Sequence, residues 1–514
     1  MPLQSFTMPP PSGGLDLVTP IDQMDPSYAL ELVNVFPGAG GPSVRKGYYQ
    51  LASTGSSAPL GFAKELPLAN GTSQLIVANS TNLYSISSGG VVTNITKAVP
   101  HTNSAFNDTI FSNRMYLCNG VDSAQVYSGT GIAQDLTFTG VALANLISVS
   151  SYRERLWFVE RNTLMSWYGG VQVNGLATIP SPPALTSNDF QYVMKQGGYL
   201  LHVGSYSNQT GTTAQDLLFA CSSEGEIVFY QGSSPADVAN WSITARFVIG
   251  RPLGFRAFIR VNQDIWILTQ QGIIPVSSLF QVDPQQAVRL VSDKINPLIA
   301  TAAAAIPFSS AWSGFLWAGG RRVYVTIPVT GTTSYFLVYS LDTKGWTKFQ
   351  LYDNGHALSS CVFSNLPLYA SATGVVYNGE TGQAEAASST SSGQAMTFSS
   401  RSAFSFFEQR GSFKAFKDIR PILKSKRGLT LNLGLDTDFK RQATVTTATT
   451  GAGTFTAWGS PWGSPWSSDV EYIFDRFAVK GQGHSAAIRF GGSIKGSPCD
   501  ILSFEIRFDL GGQV

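Results

Sequence analysis

Side chains able to do chemistry are sparse and scattered along this 514-residue chain. The four histidines, His101, His202, His356 and His484, stand far apart, with no HExxH pair and no His/Cys cluster, so no zinc site is expected. Cys118, Cys221, Cys361 and Cys499 lie more than 100 residues from one another and read as buried thiols, not as a disulfide framework. There is no GxxxxGK[ST] loop and no GxGxxG turn ahead of a helix, so no nucleotide and no other cofactor is expected. Gly483-His484-Ser485 lacks the closing glycine of a nucleophile elbow and sits between strands. Ser340-Leu-Asp342-Thr-Lys-Gly345-Trp346 approaches an Asp-box turn with Gly and Trp out of place, and reads as an Asp bonding its own turn backbone. Carboxylate pairs for glycoside hydrolysis meet only in three dimensions, and sequence leaves them open. The expectation is a non-enzyme with no catalytic or metal residues.

Two stretches could bind. Lys414, Lys417, Arg420, Lys424, Lys426 and Arg427 form a basic run opposed only by Asp418. Read functionally it is a DNA-facing or interface stripe; read plainly it is a solvated strand whose alkyl stems cover apolar surface. Trp458, Trp462 and Trp466 recur every four residues with Gly and Pro between them, which no helix tolerates. They would anchor an interface or fold back over a core.

The elements that must position these residues follow from composition. Lys and Arg number 34 and Asp and Glu 32, a net charge of +2 that argues against a polybasic nucleic-acid coat. Only 13% of residues are charged, against about 25% in ordinary soluble chains, so the outer faces of a helical bundle have no supply of charge. Low charge also suggests surface covered by partners. No apolar run is long enough to span a bilayer, and the opening residues have neither a charged n-region nor an apolar h-region, so cytosolic folding is expected.

Short strands with an aromatic at their centre recur at Tyr84, Tyr116, Trp157, Trp266, Tyr324 and Tyr369. Apart from one long gap with room for two or three units, their spacing is near the ~40–50 residues of a four-stranded propeller blade. The expected fold is all-β: an irregular β-propeller of about five to seven blades over 51–385, a linker at 386–394, and a C-terminal β-sandwich over 395–514. Residues 1–50 precede it as an extended docking segment. The best helix candidate is Asn296–Ile306, with Pro297 in its first turn and Pro307 ending it.

The opening carries a pattern: Gly13-Gly14-Leu15-Asp16-Leu17, then Asp25-Pro26-Ser27-Tyr28, then Asn34-Val35-Phe36-Pro37-Gly38, then Arg45-Lys46-Gly47-Tyr48. It resembles the start of the tail nozzle proteins (tail tubular, or packaged-DNA stabilisation, proteins) of short-tailed, podovirus-type bacteriophages. The closing residues from Lys480 to Val514 and the Trp-rich segment are similar more loosely. The resemblance implies a structural virion protein of the tail, assembled in the host bacterial cytoplasm. It would be a homohexameric ring below the portal and adaptor (connector), forming the DNA ejection channel and helping to retain packaged DNA. Implied partners are the adaptor, a tail fibre, tailspike or plug protein, and double-stranded DNA in non-specific contact. No membrane insertion of its own is implied. On this reading Leu15, Leu17, Tyr28, Val35, Phe36, Arg45, Lys46 and Tyr48 belong to a segment that packs along the propeller or a neighbouring subunit, so that deleting 1–48 would block ring formation more than folding. The alternative is a receptor- or carbohydrate-binding propeller adhesin; a propeller glycoside hydrolase ranks third.

Overall fold

Runs of Val, Ile, Tyr, Phe and Trp broken by Gly, Asn and Ser fold as antiparallel hairpins, because β-branched and aromatic side chains suit a pleated surface. The computed structural model describes residues 3–38, 40–171, 184–210, 213–281, 289–330, 333–351, 357–426, 429–443, 445–450, 471–473 and 475–513. Several turns are set by asparagine. Asn113, Asn262 and Asn365 sit at φ 58°, 56° and 68° between the first and second strands of their blades, a left-handed conformation that Asn tolerates better than most residues.

The protein is mostly β, a propeller with additional sheets. Blade one (62–94), blade two (107–135), blade three (146–189) and blade four (200–248) are four-stranded sheets in simple up-and-down order. Blade five (258–275) has three strands. Blade seven (357–379) gains its fourth strand from Tyr48–Ser53, so the N-terminal side of the chain closes the ring. These six sheets are free-standing; the blade-six unit (313–349) is continuous with a larger sheet.

Apolar clusters join neighbours all the way round. Phe62 and Leu66 meet Met115 and Leu117 between blades one and two. Tyr116 and Val126 meet Val149 and Phe158 between two and three, and Trp157 and Val159 meet Leu218 and Val228 between three and four. Phe219 and Ile227 meet Ile265 and Ile267, Ile259 and Leu268 meet Val323 and Val325, Tyr324 and Phe336 meet Tyr369, and Leu368 and Ala370 meet Leu75 and Val77. Each fully buried side chain of this kind contributes roughly 1.5–3 kcal/mol, so the interfaces between sheets hold the ring.

Tyr116, Trp157, Trp266, Tyr324 and Tyr369 all lie on the second strand of their blades. Tyr84 is out of register, on a third strand. The long gap holds one blade, whose second strand carries Phe219 instead of Tyr or Trp. The helix forms at Asn296–Ala305, with proline in its first turn and the Ile306 amide bonded to the Ala302 carbonyl. No helix among the described residues is long and apolar enough to cross a membrane.

Behind blade six lies the sandwich. One sheet pairs Ser412–Ser425 with the final strand Cys499–Gln513, and the final strand also pairs with Gln4–Met8 and bridges to Ser43. The other runs from blade six through Tyr28–Val33 to Met396–Ser402, Ala486–Ile494 and Thr430–Thr437. Phe416, Ile419, Phe504 and Ile506 from the first sheet share a buried core with Phe398, Leu433, Ile488 and Phe490 from the second.

This corrects the expected division at two points. Residues 4–44 supply strands to the sandwich and are not a separate docking segment. The 386–394 linker is tied back: Glu385 bridges to Gln394, and Ala387 to Tyr49. Because N-terminal strands complete both sandwich sheets, deletion of 1–48 is expected to abolish cooperative folding of the monomer, not ring formation alone. Thermal unfolding and limited proteolysis of the truncated chain check this; a trimmed monomer with an undiminished melting transition would contradict it.

Candidate functional site

The opening motif converges on one buried place. Asn34, at φ 59°, accepts the Arg45 Nε (3.1 Å) and the Gln350 amide (3.0 Å) on its Oδ1, and donates through Nδ2 to the Thr397 carbonyl (2.8 Å). Arg45 also donates to the carbonyls of Lys46 (2.9 Å) and Gln350 (3.3 Å), pairs with the buried Glu385, and lies 4.6 Å over the Phe349 ring. Gly47 is obligatory, since a Cβ there would lie 1.9 Å from the Ala384 carbonyl oxygen. Tyr48 packs edge-on to Tyr369 and Tyr377 of blade seven. Nearby, burial pushes the Glu380 carboxyl up against the pull of Arg322 and Arg45.

The first part of the motif docks on blade six. A Cβ on Gly14 would strike the Trp346 backbone at 2.6 Å. Leu15 is buried, and the Leu17 amide donates to the Lys294 carbonyl (2.8 Å). Asp16 accepts the amides of Val18 and Thr19 and pairs with Lys294 (3.1 Å), whose ammonium lies 3.2 Å over the Tyr28 ring. Val35 and Phe36 are buried, whereas the Lys46 side chain is exposed. Leu15, Val35, Phe36, Arg45 and Tyr48 are thus buried within this chain and offer no surface to a neighbour, a correction to their expected role as docking residues.

Lys414, Lys417, Arg420 and Lys424 of the basic run lie on the strand Ser412–Ser425. Lys414 is fully buried and donates to the carbonyls of Gln409 (2.6 Å), Ser412 (3.0 Å) and His484 (2.9 Å), so its DNA-facing reading is withdrawn. Lys417 pairs with Asp509 (3.0 Å) and Arg420 with Glu505 (3.1 Å). Glu505 and Asp418 each also bind Arg476, and Asp418 binds Arg507. Lys424 is exposed opposite Asp500, and the Lys426 amide donates to Ser497 Oγ. Arg427, Trp458, Trp462, Trp466 and His356 lie outside the described residues. The four cysteines are free and buried.

Sequence reasoning missed the propeller axis. First strands of blades one, two, four, five, six and seven, with the turn before blade five, line a chamber of about 630 Å³ containing Lys64, Glu65, Asp108, Arg256, Arg260 and His202. A second chamber of about 240 Å³ shares Asn107, Phe255 and Arg256 with it. Arg256, from the turn before blade five, donates to the Gly61 carbonyl (2.8 Å) beside blade one and to Ser359 Oγ (3.2 Å) on blade seven. It reaches from the turn before blade five to the adjoining blades one and seven and lines both chambers. Lys64 pairs with Asp108 (3.4 Å), and Glu65 accepts the Ser364 amide (3.3 Å).

His202 is pushed down to about 4 by burial and by Arg260, and stacks on Phe258 at 4.8 Å, so it is neutral near pH 7. Burial pushes the Cys361 thiol up to about 12, leaving it protonated. No group of three His, Cys, Asp or Glu side chains that could hold a metal occurs among the described residues. The available signal was charge placement: in so uncharged a chain, Lys64, Asp108 and Arg260 stand in the innermost strands, where apolar residues would otherwise suffice.

No family model matches the chain, and no curated protein matches it. Solved structures similar to it include selenomethionine-substituted virginiamycin B lyase from Staphylococcus aureus (12% identity, TM-score 0.41, covering 63% of this chain and 96% of that one). A streptogramin B lyase matches at 12% identity and TM-score 0.41, covering 64% of this chain and 95% of that one. Apo AztD from Citrobacter koseri matches at 12% and 0.29, covering 60% and 73%. Scores this low carry no argument about activity; the propeller is read from this chain's own strand pairing.

Two outcomes are expected. Arg45→Met leaves Glu385 buried without its partner and should cost about 3–5 kcal/mol, measured by urea unfolding; a loss under about 1 kcal/mol would contradict the lock. For Glu505, hydrogen bonds from Ser5 and Arg476 lead in pulling the carboxyl from 4.5 to about 2 in the folded chain. A folded-state value below the unfolded one gives stability that is complete above the unfolded value and fades as pH falls through the folded one. Glu505→Gln should therefore reduce the loss of stability between about pH 5 and pH 2, seen in urea midpoints across that range.

Proposed function

We propose that this chain is a structural virion protein, a subunit of a ring-shaped tail nozzle of a short-tailed bacteriophage. The observation that carries the reading is the placement of the motif residues. Gly14, Asn34, Arg45, Gly47 and Tyr48, on which the resemblance rests, weld N-terminal segment, propeller and sandwich into one body. A pattern set by such close approaches and buried polar contacts marks a shared architecture more than a shared composition.

Two further features support a ring. In a single propeller Arg256 reaches from the turn before blade five to blades one and seven, so a duplex would have to pass between copies and not through one. The outer strand of blade four, Ser242–Val248, is an open edge with Ile243 and Val248 exposed, and Val238 and Tyr192 stand out beside it. Unpaired edges and low charge suit a heterologous interface repeated to closure. In this role the ring is a hexamer, meets the adaptor above it, docks a fibre, spike or plug protein, and touches translocating DNA non-specifically. The glycan-binding alternative lacks such support. Trp241, for one, is stacked on Trp157 (6.0 Å) and on Tyr230 (4.9 Å), so its ring is not an open platform for a sugar.

Cryo-electron microscopy of native particles containing the chain tests the reading. Six copies closed around a central duplex-wide channel are expected. Density confined to fibre tips or the capsid surface would overturn the nozzle role.

A further inference from the structure

We propose that the larger axial chamber is a binding site for a small organic anion, a carboxylate or phosphate carried on a short apolar body. This goes beyond the nozzle reading and does not depend on it, since the chamber lies wholly within one propeller.

Shape comes first. The chamber, about 630 Å³, falls within the roughly 300–1,000 Å³ typical of small-molecule sites. Phe255 and Arg256 line both it and the smaller chamber. A pocket of this size suits a short ligand.

Charge gives the sign. Three cations, Lys64, Arg256 and Arg260, line the chamber against two acids, Glu65 and Asp108. Glu65 already accepts a backbone amide, and Asp108 is shared with Lys64, so the excess is positive. Donors also remain. Arg256 spends two N–H groups on Gly61 and Ser359, out of the five a guanidinium carries. Those two bonds fix its plane across the axis, so its remaining donors are held in place before any ligand arrives. Lys64 spends one N–H on Asp108. Among the described residues Arg260 donates only from Nη2, to the Ser205 carbonyl (2.9 Å) and its Oγ (3.4 Å).

An unsatisfied polar group points the same way. Ser360 lines the chamber, and its Oγ is buried without a hydrogen-bond partner. A buried hydroxyl left unpaired costs free energy, and rotation about χ1 would let it meet a ligand oxygen. The apolar part of the wall includes Phe258, which is backed by His202, and Phe315, which is backed by Tyr324 at 4.9 Å. These rings are held rigid and give an apolar body a surface to cover.

The test is calorimetric titration of the full chain with phenylphosphate, with benzoate and with neutral benzyl alcohol. Saturable one-to-one binding of at least one anion, with none of the alcohol, is expected; which anion binds tells phosphate from carboxylate. Lys64→Gln and Arg260→Gln should each weaken that binding about tenfold, the worth of one charge-assisted hydrogen bond. Melting temperatures confirm that the variants fold, and if Lys64→Gln fails to fold, Arg260→Gln decides alone. No saturable heat with either anion, equal binding of the alcohol, or unchanged affinity in the folded variants would overturn the site. Ring formation is read separately, from copy number in particles, so either idea can fail alone.

Discussion

The architecture depends on a buried arginine. Arg45 lies where blade six, the 380–387 loop, the N-terminal segment and sandwich strand Met396–Ser402 meet, and it contacts all of them through Gln350, Glu385, Asn34 and Met396. Burying an ion pair is costly, and breaking one by removing a partner is costlier still. Such a pair forms only when every surrounding element is in register. Gly47 and Gly14 add steric versions of the same demand, because any side chain there would overlap backbone from another element. Propeller and sandwich are therefore not beads on a string; a strand from the first fifty residues runs between them and pairs with both.

The closed propeller axis has a comparable cause. Seven units of unequal strand length pack around a space too wide to be filled by first-strand side chains alone. Arg256 comes in from the turn before blade five and is anchored on the adjoining blades one and seven. The propeller axis thereby holds a pocket within one chain.

Much of the fold was legible. Alternating apolar runs, asparagine and glycine turns and aromatics at blade-like spacing gave an all-β propeller followed by a sandwich, and the Pro-bounded helix fell where its prolines placed it. Blade four left only a long gap in the aromatic spacing because its second strand carries Phe219 in place of Tyr or Trp, and because Leu200–Thr210 and Thr213–Ser222 are longer than their counterparts. Tyr84 misled in the other direction: an aromatic on a third strand has the same local sequence as one on a second. The basic run 414–426 was visible as charge, but its partners Glu505 and Asp509 lie some 85 to 95 residues away in the chain, so its neutralisation was not.

By itself, then, the sequence determined the local and the periodic. It set strand against helix, the turns that need left-handed residues, the near-neutral charge and the glycine-, asparagine- and arginine-bearing opening that marks a resemblance. These follow from preferences of a few adjacent residues. Only the tertiary structure decided that the opening strands belong to the sandwich and to blade seven, that Lys414 is a buried carbonyl clamp, and that Lys64, Asp108, Arg256, Arg260 and Ser360 face one another across an axis. Those residues come from four different blades. What brings them together is closure of a ring, a long-range event that leaves no trace in the spacing of neighbours.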